Sequence, residues 1–447
     1  MAAMLGDGTA ALMLERMPTP PRFEVLLGRS EKATPMFGVL GEALDDRERL
    51  VAMDLSHMHC ISLFGEPGAG KSYCLGTIIE MAVAACDGIN QLPRPLATVV
   101  FHYSSAQNYP PEFASTIRAN DQPEQLARLL SRYGARPQAV GDCRLLAPRD
   151  LVAERGREFP GISVHPLSFT AAELQASHWR ILMGALGEDD SLYLQVINQI
   201  LKRHRGATTI GVLRQEIEDS RLAAPDKDRA RVRLGLAEQY IGDGVPVRSH
   251  LRAGRLLLVD LRDEFLQKKE ALSLLLVLLQ LFADSTADGA TLQKLCVFDE
   301  AHKYLRDPEL IDCLTETIRE MRHKSTTILI ASQDPPSVPL TMIELSSMVV
   351  MLKMSSPLWL RHVSQVKPAF QALSPAELSG LEPGEAYVWA KQASDREYCR
   401  VPHRIRIRPR FTKHGGDTRT TVASAQPLAT EVGAPCAAPA VGASGAP

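Results

Sequence analysis

Residues 59–72 read His59-Cys60-Ile61-Ser62-Leu63-Phe64-Gly65-Glu66-Pro67-Gly68-Ala69-Gly70-Lys71-Ser72. The run His59–Phe64 is a short apolar strand and Tyr73–Ala85 has the pattern of an apolar helix, so Gly65–Ser72 is a glycine-rich loop joining strand to helix. The glycines let backbone N–H groups fold around an anion where a side chain would collide. The helix beginning near Lys71 adds the positive end of its dipole. This arrangement suits the β- and γ-phosphates of ATP, with Lys71 reaching them and the Ser72 hydroxyl ligating Mg²⁺.

Further along, Leu295-Cys296-Val297-Phe298-Asp299-Glu300 is an apolar strand ending in two carboxylates. In a parallel sheet such a strand delivers them to the edge that carries the phosphate loop. There Asp299 is suited to order Mg²⁺ and Glu300 to polarise an attacking water. Asp299-Glu300-Ala301-His302 also occurs in a class of RNA helicases, but those need Ser-Ala-Thr after the next strand, where this chain has Ala331-Ser332-Gln333. Gln333 follows the strand Thr326–Ala331, and its amide can both donate to a γ-phosphate oxygen and accept from water. Just before that strand, Arg319-Glu320-Met321-Arg322-His323-Lys324 offers Arg319 or Arg322 as a finger for a neighbouring site. The same residues also read as a solvated helix end, with Glu316 and Arg319 an ordinary i,i+3 pair.

The rest of the 447-residue chain suits one large core with additions. Alternation of helices with continuously apolar strands (Ala97–Tyr103, Arg255–Leu261, Lys294–Phe298, Met348–Leu352) indicates an α/β fold with a buried, mostly parallel sheet. Residues 1–22 read as a flexible N-terminus and 23–55 as a small β subdomain. Residues 56–110 are the first part of the core, 111–250 a polar helical insertion, and 251–411 the second part of the core with a C-terminal brace. Residues 412–447, rich in Ala, Gly, Pro, Thr and Ser, read as a disordered tail.

The net charge of −2 means that any grip on nucleic acid has to come from local clusters of base or from an assembly. The densest basic run, Arg400 to Lys413, alternates Arg404, Arg406, Arg408 and Arg410 with apolar residues at 405 and 407. It reads as an edge strand with one basic face, suited to DNA, to an adjacent subunit, or simply to solvent. Lys202-Arg203-His204-Arg205 closes a helix, where positive charge is expected from the dipole alone. Eight scattered cysteines without a Cys-x-x-Cys pair point to buried thiols in a reducing cytoplasm. The longest apolar run, Ala271–Phe282, is too short to span a bilayer and reads as a core helix. With no signal-peptide pattern at the N-terminus, a cytoplasmic protein without membrane insertion is expected.

Taken together, these motifs resemble the HerA/FtsK/VirB4 group of P-loop ATPases, and most closely the HerA-like DNA translocases. The 228 residues between Lys71 and Asp299 match the helical insertion of that group. Val25-Leu26-Leu27-Gly28-Arg29 resembles the start of its small β-barrel. Arg322, Ser332-Gln333 and Leu381-Glu382-Pro383-Gly384-Glu385-Ala386 fall where it has an Arg-Lys pair, a Ser-Gln and a Gly-Glu-Ala strand. The resemblance implies a homo-hexamer of RecA-like cores with ATP sites between subunits, Arg322 acting in trans, duplex DNA in the pore, and a nuclease or defence effector as partner. Two departures stand out: Phe101-His102-Tyr103-Ser104-Ser105 replaces an Asp-rich Gly-Glu segment, and Asp334-Pro335 replaces Arg-Pro. A peripheral secretion or conjugation ATPase of the VirB4 kind is a rival reading. So is a nucleotide-controlled scaffold of a defence complex that does not thread DNA.

Overall fold

Strands that are apolar along their whole length have to be covered on both faces, and those read from the sequence are. A computed structural model describes residues 23–44, 49–184, 192–287, 290–305 and 307–416, with the side chains of residues 287, 290, 291 and 322 outside that description. The expectations for residues 1–22 and for the tail from 417 to 447 lie outside the described residues, but 412–416 are not the start of a disordered tail, because Thr412 is buried on Glu80 and bridges Ala119.

In chain order the strands are β1 (Val25–Leu27), β2 (Phe37–Ala43), β3 (Leu50–Asp54), β4 (Cys60–Phe64), β5 (Asn90–Gln91), β6 (Ala97–Ser104), β7 (Cys143–Ala147), β8 (Ser163–Pro166), β9 (Leu256–Arg262), β10 (Thr286–Ala287), β11 (Ala290–Thr291), β12 (Lys294–Phe298), β13 (Thr326–Ser332), β14 (Met348–Leu352), β15 (Glu385–Ala390) and β16 (His403–Ile407). Fourteen of them form one sheet in the order β1-β3-β2-β16-β15-β14-β4-β13-β12-β6-β9-β7-β8, with β5 attached to β2 and β10–β11 a separate hairpin. From β14 to β8 every neighbouring pair is parallel. The wing from β14 through β15, β16 and β2 to β3 is antiparallel. The strands of residues 23–55 therefore share one hydrogen-bonded sheet with the core.

Side chains alternate across this sheet with period two. Along β12, Leu295 and Val297 join the core on the side of the helix Lys71–Val83, while Cys296 and Phe298 join the core on the side of the helix Lys268–Ala283. The latter helix is the longest apolar run of the sequence. It is buried from Ala271 to Leu279 because the sheet covers one side and the helix Ala176–Leu182 covers another. The buried Lys294 Nζ donates to the carbonyls of Ala283 and Ser285 at 2.9 and 2.8 Å, placing a cation at the helix C-terminus. Among the described residues no helix is long and apolar enough to cross a membrane.

Two further expectations are corrected. The segment 111–250 is not wholly helical: β7 and β8 lie within it and extend the parallel sheet beyond β9. Both are short: β7 is a strand through β9, more than a hundred residues further on, and β8 through β7. The basic run is not an edge strand either, because β16 is paired on both sides, with β15 and with β2. Its period-two reading holds, but its arginines share carboxylates of the same chain, with Arg404 and Arg406 partly exposed and Arg408 and Arg410 fully buried. Arg404 and Arg406 pair with Glu385, Arg408 and Arg410 with Glu80, and Lys413 with Asp121. Arg203 and His204 are likewise held by Glu216.

One buried histidine makes the fold acid-sensitive. His178 Nδ1 accepts from the Gln175 N–H at 3.0 Å at the start of helix Ala176–Leu182. Burial, then the nearby Arg248, pulls its pKa down from 6.5 to about 4. The folded state therefore resists the proton that the unfolded chain accepts. Stability present above the unfolded value is lost as pH falls from about 6.5 towards about 4. Melting curves between pH 7 and pH 4.5 are expected to show a falling Tm, with a shallower fall in His178→Gln. Parallel curves for the two proteins would show that His178 contributes nothing to it.

Candidate functional site

Parallel strands present their C-terminal ends along one edge, and four neighbours deliver the site there. β4 runs into the loop Gly65–Gly70, β12 into Asp299-Glu300, β13 into Gln333, and β6 passes beside Asp299 at His102. The loop is fixed by backbone and side-chain bonds. Gly65 N–H donates to Ser332 O at 3.4 Å and Glu66 N–H to Lys353 O at 3.1 Å. The Glu66 carboxylate accepts from the Ser355 N–H and hydroxyl at 3.1 and 3.0 Å, and Gly384 N–H donates to Ala69 O at 3.4 Å. Gly70 has φ 91°, and a Cβ there would stand 3.2 Å from the Gly384 nitrogen. The positive φ favours glycine, and the close approach of Gly384 leaves little room for a side chain.

Lys71 opens the helix Lys71–Val83 and is buried. Its Nζ lies 2.6 Å from Glu300 Oε1 and 3.2 Å from Asp299 Oδ1. Burial alone would lower its pKa, but Asp299 and then Glu300 outweigh that and hold the ammonium well above its ordinary range. The converse holds at Asp299: burial works to raise its pKa, and Lys71 and then His102 hold the carboxyl well below the usual carboxylate range. Gln333 Nε2 donates to Glu300 Oε1 at 2.7 Å. The Tyr304 hydroxyl donates to the Asp299 carbonyl at 3.3 Å.

Glu300 is one of two non-glycine residues in the left-handed region among the described residues, with φ 51° and ψ 44°. Such a conformation costs about 1–3 kcal/mol and persists only where the surroundings enforce it. Here it turns the carboxylate towards Lys71 and Gln333. Its second oxygen, Oε2, is buried and makes no hydrogen bond; His302 Nδ1 lies 3.3 Å away, outside hydrogen-bond geometry. Burial lowers the His302 pKa against the pull of Glu300, which favours the neutral ring.

The residues fit ATP with Mg²⁺. The first turn of helix Lys71–Val83 has no side-chain cap and no acidic residue, so its N–H groups point into the loop without a competing anion. Gly68, at φ 82°, faces open space. Around that cradle stand a buried cation, a buried carboxylate held ionised, and a carboxylate oxygen still able to accept a bond.

The structure thus brings Gly65–Ser72, Asp299, Glu300 and Gln333 together. It does not bring Arg322 to them. The Arg322 backbone lies in the turn Met321–Lys324 ahead of β13, at the opposite edge of the sheet, and its side chain lies outside the described residues. Arg319 is exposed at the end of helix Pro308–Glu320. Sequence reasoning missed His102, Tyr304, Ser355 and the seat of Gly384 against the loop. His102 Nε2 bonds Tyr109 O at 2.8 Å, and its Nδ1 lies 3.9 Å from Asp299 Oδ2. A signal existed, since His102 interrupts an otherwise apolar strand that pairs with the Asp299 strand.

No family model and no curated protein sequence matches the chain. Solved structures do. The plasmid coupling protein TrwB in complex with a non-hydrolysable ATP analogue aligns over 88% of this chain and 98% of its own, with a TM-score of 0.50 and 12% identity. VirB4 of Thermoanaerobacter pseudethanolicus aligns over 86% of this chain and 98% of its own, with a TM-score of 0.44 and 16% identity. The genome packaging NTPase B204 of Sulfolobus turreted icosahedral virus 2 covers 78% and 98%, at a TM-score of 0.33 and 7% identity. At the identity of the TrwB alignment the likeness is one of fold, and that fold is the RecA-like core of the P-loop NTPases.

Proposed function

We propose that the chain is a hexameric, ATP-driven DNA translocase of the HerA type that works with a nuclease or defence effector. The observation that carries the ATPase reading is the convergence of Lys71, Asp299, Glu300 and Gln333 on one buried centre beside an uncapped helix N-terminus. The fold, shared with a coupling protein that binds an ATP analogue, supports the motor reading.

In this reading Lys71 leaves its carboxylate partners for the β- and γ-phosphates, and the loop N–H groups hold the same oxygens. Ser72 and Asp299 are the residues that would hold Mg²⁺, which when bound neutralises charge on the phosphate oxygens. Glu300 Oε2, the oxygen without a partner, accepts the proton of the attacking water. Gln333 holds Glu300 through Oε1 and reports on the γ-phosphate. Arg322 cannot serve its own site: the seven residues of β13 separate the two edges by roughly 23 Å. A neighbouring subunit's site is where it acts.

The test is steady-state ATP hydrolysis by the full chain with and without linear duplex DNA, with Lys71→Ala as the blank. Strong stimulation by DNA, absent in Lys71→Ala, is expected. Turnover indifferent to DNA would overturn the translocase reading while leaving the ATPase standing, and would direct the search to a protein substrate or partner.

A further inference from the structure

At the far end of the sheet, the turn after β7, the end of β8 and residues 242–250 enclose a pocket of about 480 Å³. It runs beside β7 and β8, from Arg144 near the start of β7 to Arg149 and Ser168 beyond the ends of the two strands, and four strands separate β7 from β4. At the spacing of hydrogen-bonded strands that is roughly 24 Å from the phosphate loop.

The pocket holds more positive charge than its neighbours neutralise. Arg149 makes no ion pair among the described residues; its Nη2 donates only to Ser168 Oγ and Ile241 O, at 3.3 and 3.5 Å. Arg144 reaches Asp142 only at 4.0 Å, and that carboxylate is already held by Arg255 at 2.9 Å. The one carboxylate lining the pocket, Asp243, is exposed. His250 is buried, lines the pocket, and has an Nδ1 without a hydrogen-bond partner. The His165 ring lies beside it, with centroids 4.8 Å apart. Gly242 leaves the space that Arg149 uses, since a Cβ there would stand 2.9 Å from Arg149 Nη2. Burial comes first and the positive neighbours second in pulling the pKa of both rings down, that of His250 to about 4.

We infer that this pocket is a second anion site that takes a phosphate group, gripped by Arg144 and Arg149 and completed by the imidazoles of His165 and His250. Planar guanidinium groups match phosphate oxygens two at a time. A neutral imidazole supplies a donor through the nitrogen left free, and the room is ample for a nucleotide-sized ligand. The inference does not rest on the ATPase reading.

It is tested in the full-length Lys71→Ala protein, so that the phosphate loop does not contribute. Inorganic phosphate is titrated while the ring signals of carbon-13-labelled histidines are followed, with His165→Gln and His250→Gln as assignments. Saturable shifts of those two rings are expected, lost in Arg149→Ala and in Arg144→Gln and partly restored in Arg149→Lys. Both arginine side chains are at least partly exposed, so these variants fold. A second arm measures anisotropy of a fluorescent DNA duplex. About tenfold weaker binding in Arg144→Gln/Arg149→Ala, with a smaller salt dependence, assigns the phosphate to a nucleic-acid backbone. Unchanged duplex binding with the phosphate shifts intact assigns it to a small phosphorylated molecule. Ring signals that ignore phosphate, or that respond equally without the two arginines, overturn the site.

Discussion

Glu300→Gln is expected to lower the ATP turnover number by about 10²–10⁴-fold while nucleotide affinity changes little. The amide keeps an oxygen that can accept from Lys71 and from Gln333, as Glu300 Oε1 does now at 2.6 and 2.7 Å. What it loses is the basicity of the second oxygen, which is buried and has no other hydrogen-bond partner. Single-turnover hydrolysis and equilibrium binding of a fluorescent ATP analogue separate the two effects. Lys71→Ala gives the opposite pattern, because it removes the buried cation and leaves Asp299 and Glu300 facing each other, so binding itself fails. A Glu300→Gln protein that hydrolyses ATP at the full rate would take the general base away from Glu300. Shortening the side chain adds a check on its placement by the positive φ. Glu300→Asp keeps the charge on a shorter arm, and its rate should lie between those of the unsubstituted protein and Glu300→Gln.

What the sequence made legible was local. β12 and β14 begin and end at the residues expected, and the strand, loop and helix around Lys71 follow from adjacent residues. So did the meeting of Asp299, Glu300 and Gln333 with the loop, because parallel strands have one C-terminal edge and each residue stands at the end of a strand. Hidden were relations set by distant partners. Arg408 looked like surface charge because its counter-ion Glu80 lies 328 residues away. β7 became a strand only through β9, and β8 only through β7. The approach of His102 to Asp299 needed the register that places β6 beside β12. Periodicity tells which residues share a face, not which element covers that face or which charge answers another.

Glu80→Ala is expected to destabilise the protein by about 3–5 kcal/mol, a large fraction of the roughly 5–15 kcal/mol that holds most domains folded. Glu80 lies on the helix that starts at Lys71 and is fully buried. Its Oε1 accepts from Arg408 Nη1 at 2.6 Å and from Phe411 N–H at 3.1 Å. Its Oε2 accepts from the Thr412 N–H and hydroxyl at 2.9 and 2.6 Å, and Arg410 Nε lies 3.8 Å away. Arg408 in turn donates to Val39 O on β2 and to Thr77 O on the helix. One carboxylate therefore ties the phosphate-loop helix, the antiparallel wing and the segment after β16 together. Removing it strands two buried guanidinium groups and two N–H donors, which is why the loss exceeds that of a surface pair. Glu80→Gln keeps the shape and one acceptor oxygen but not the charge, and should lose less. Urea unfolding of the three proteins measures the order. Because the helix anchored here carries Lys71 at its start, Glu80→Gln should also weaken ATP binding more than it slows hydrolysis of bound ATP. A loss under about 1 kcal/mol in Glu80→Ala, the size of an exposed pair, would mean that water reaches Arg408 and Arg410 and that the clamp holds nothing in place.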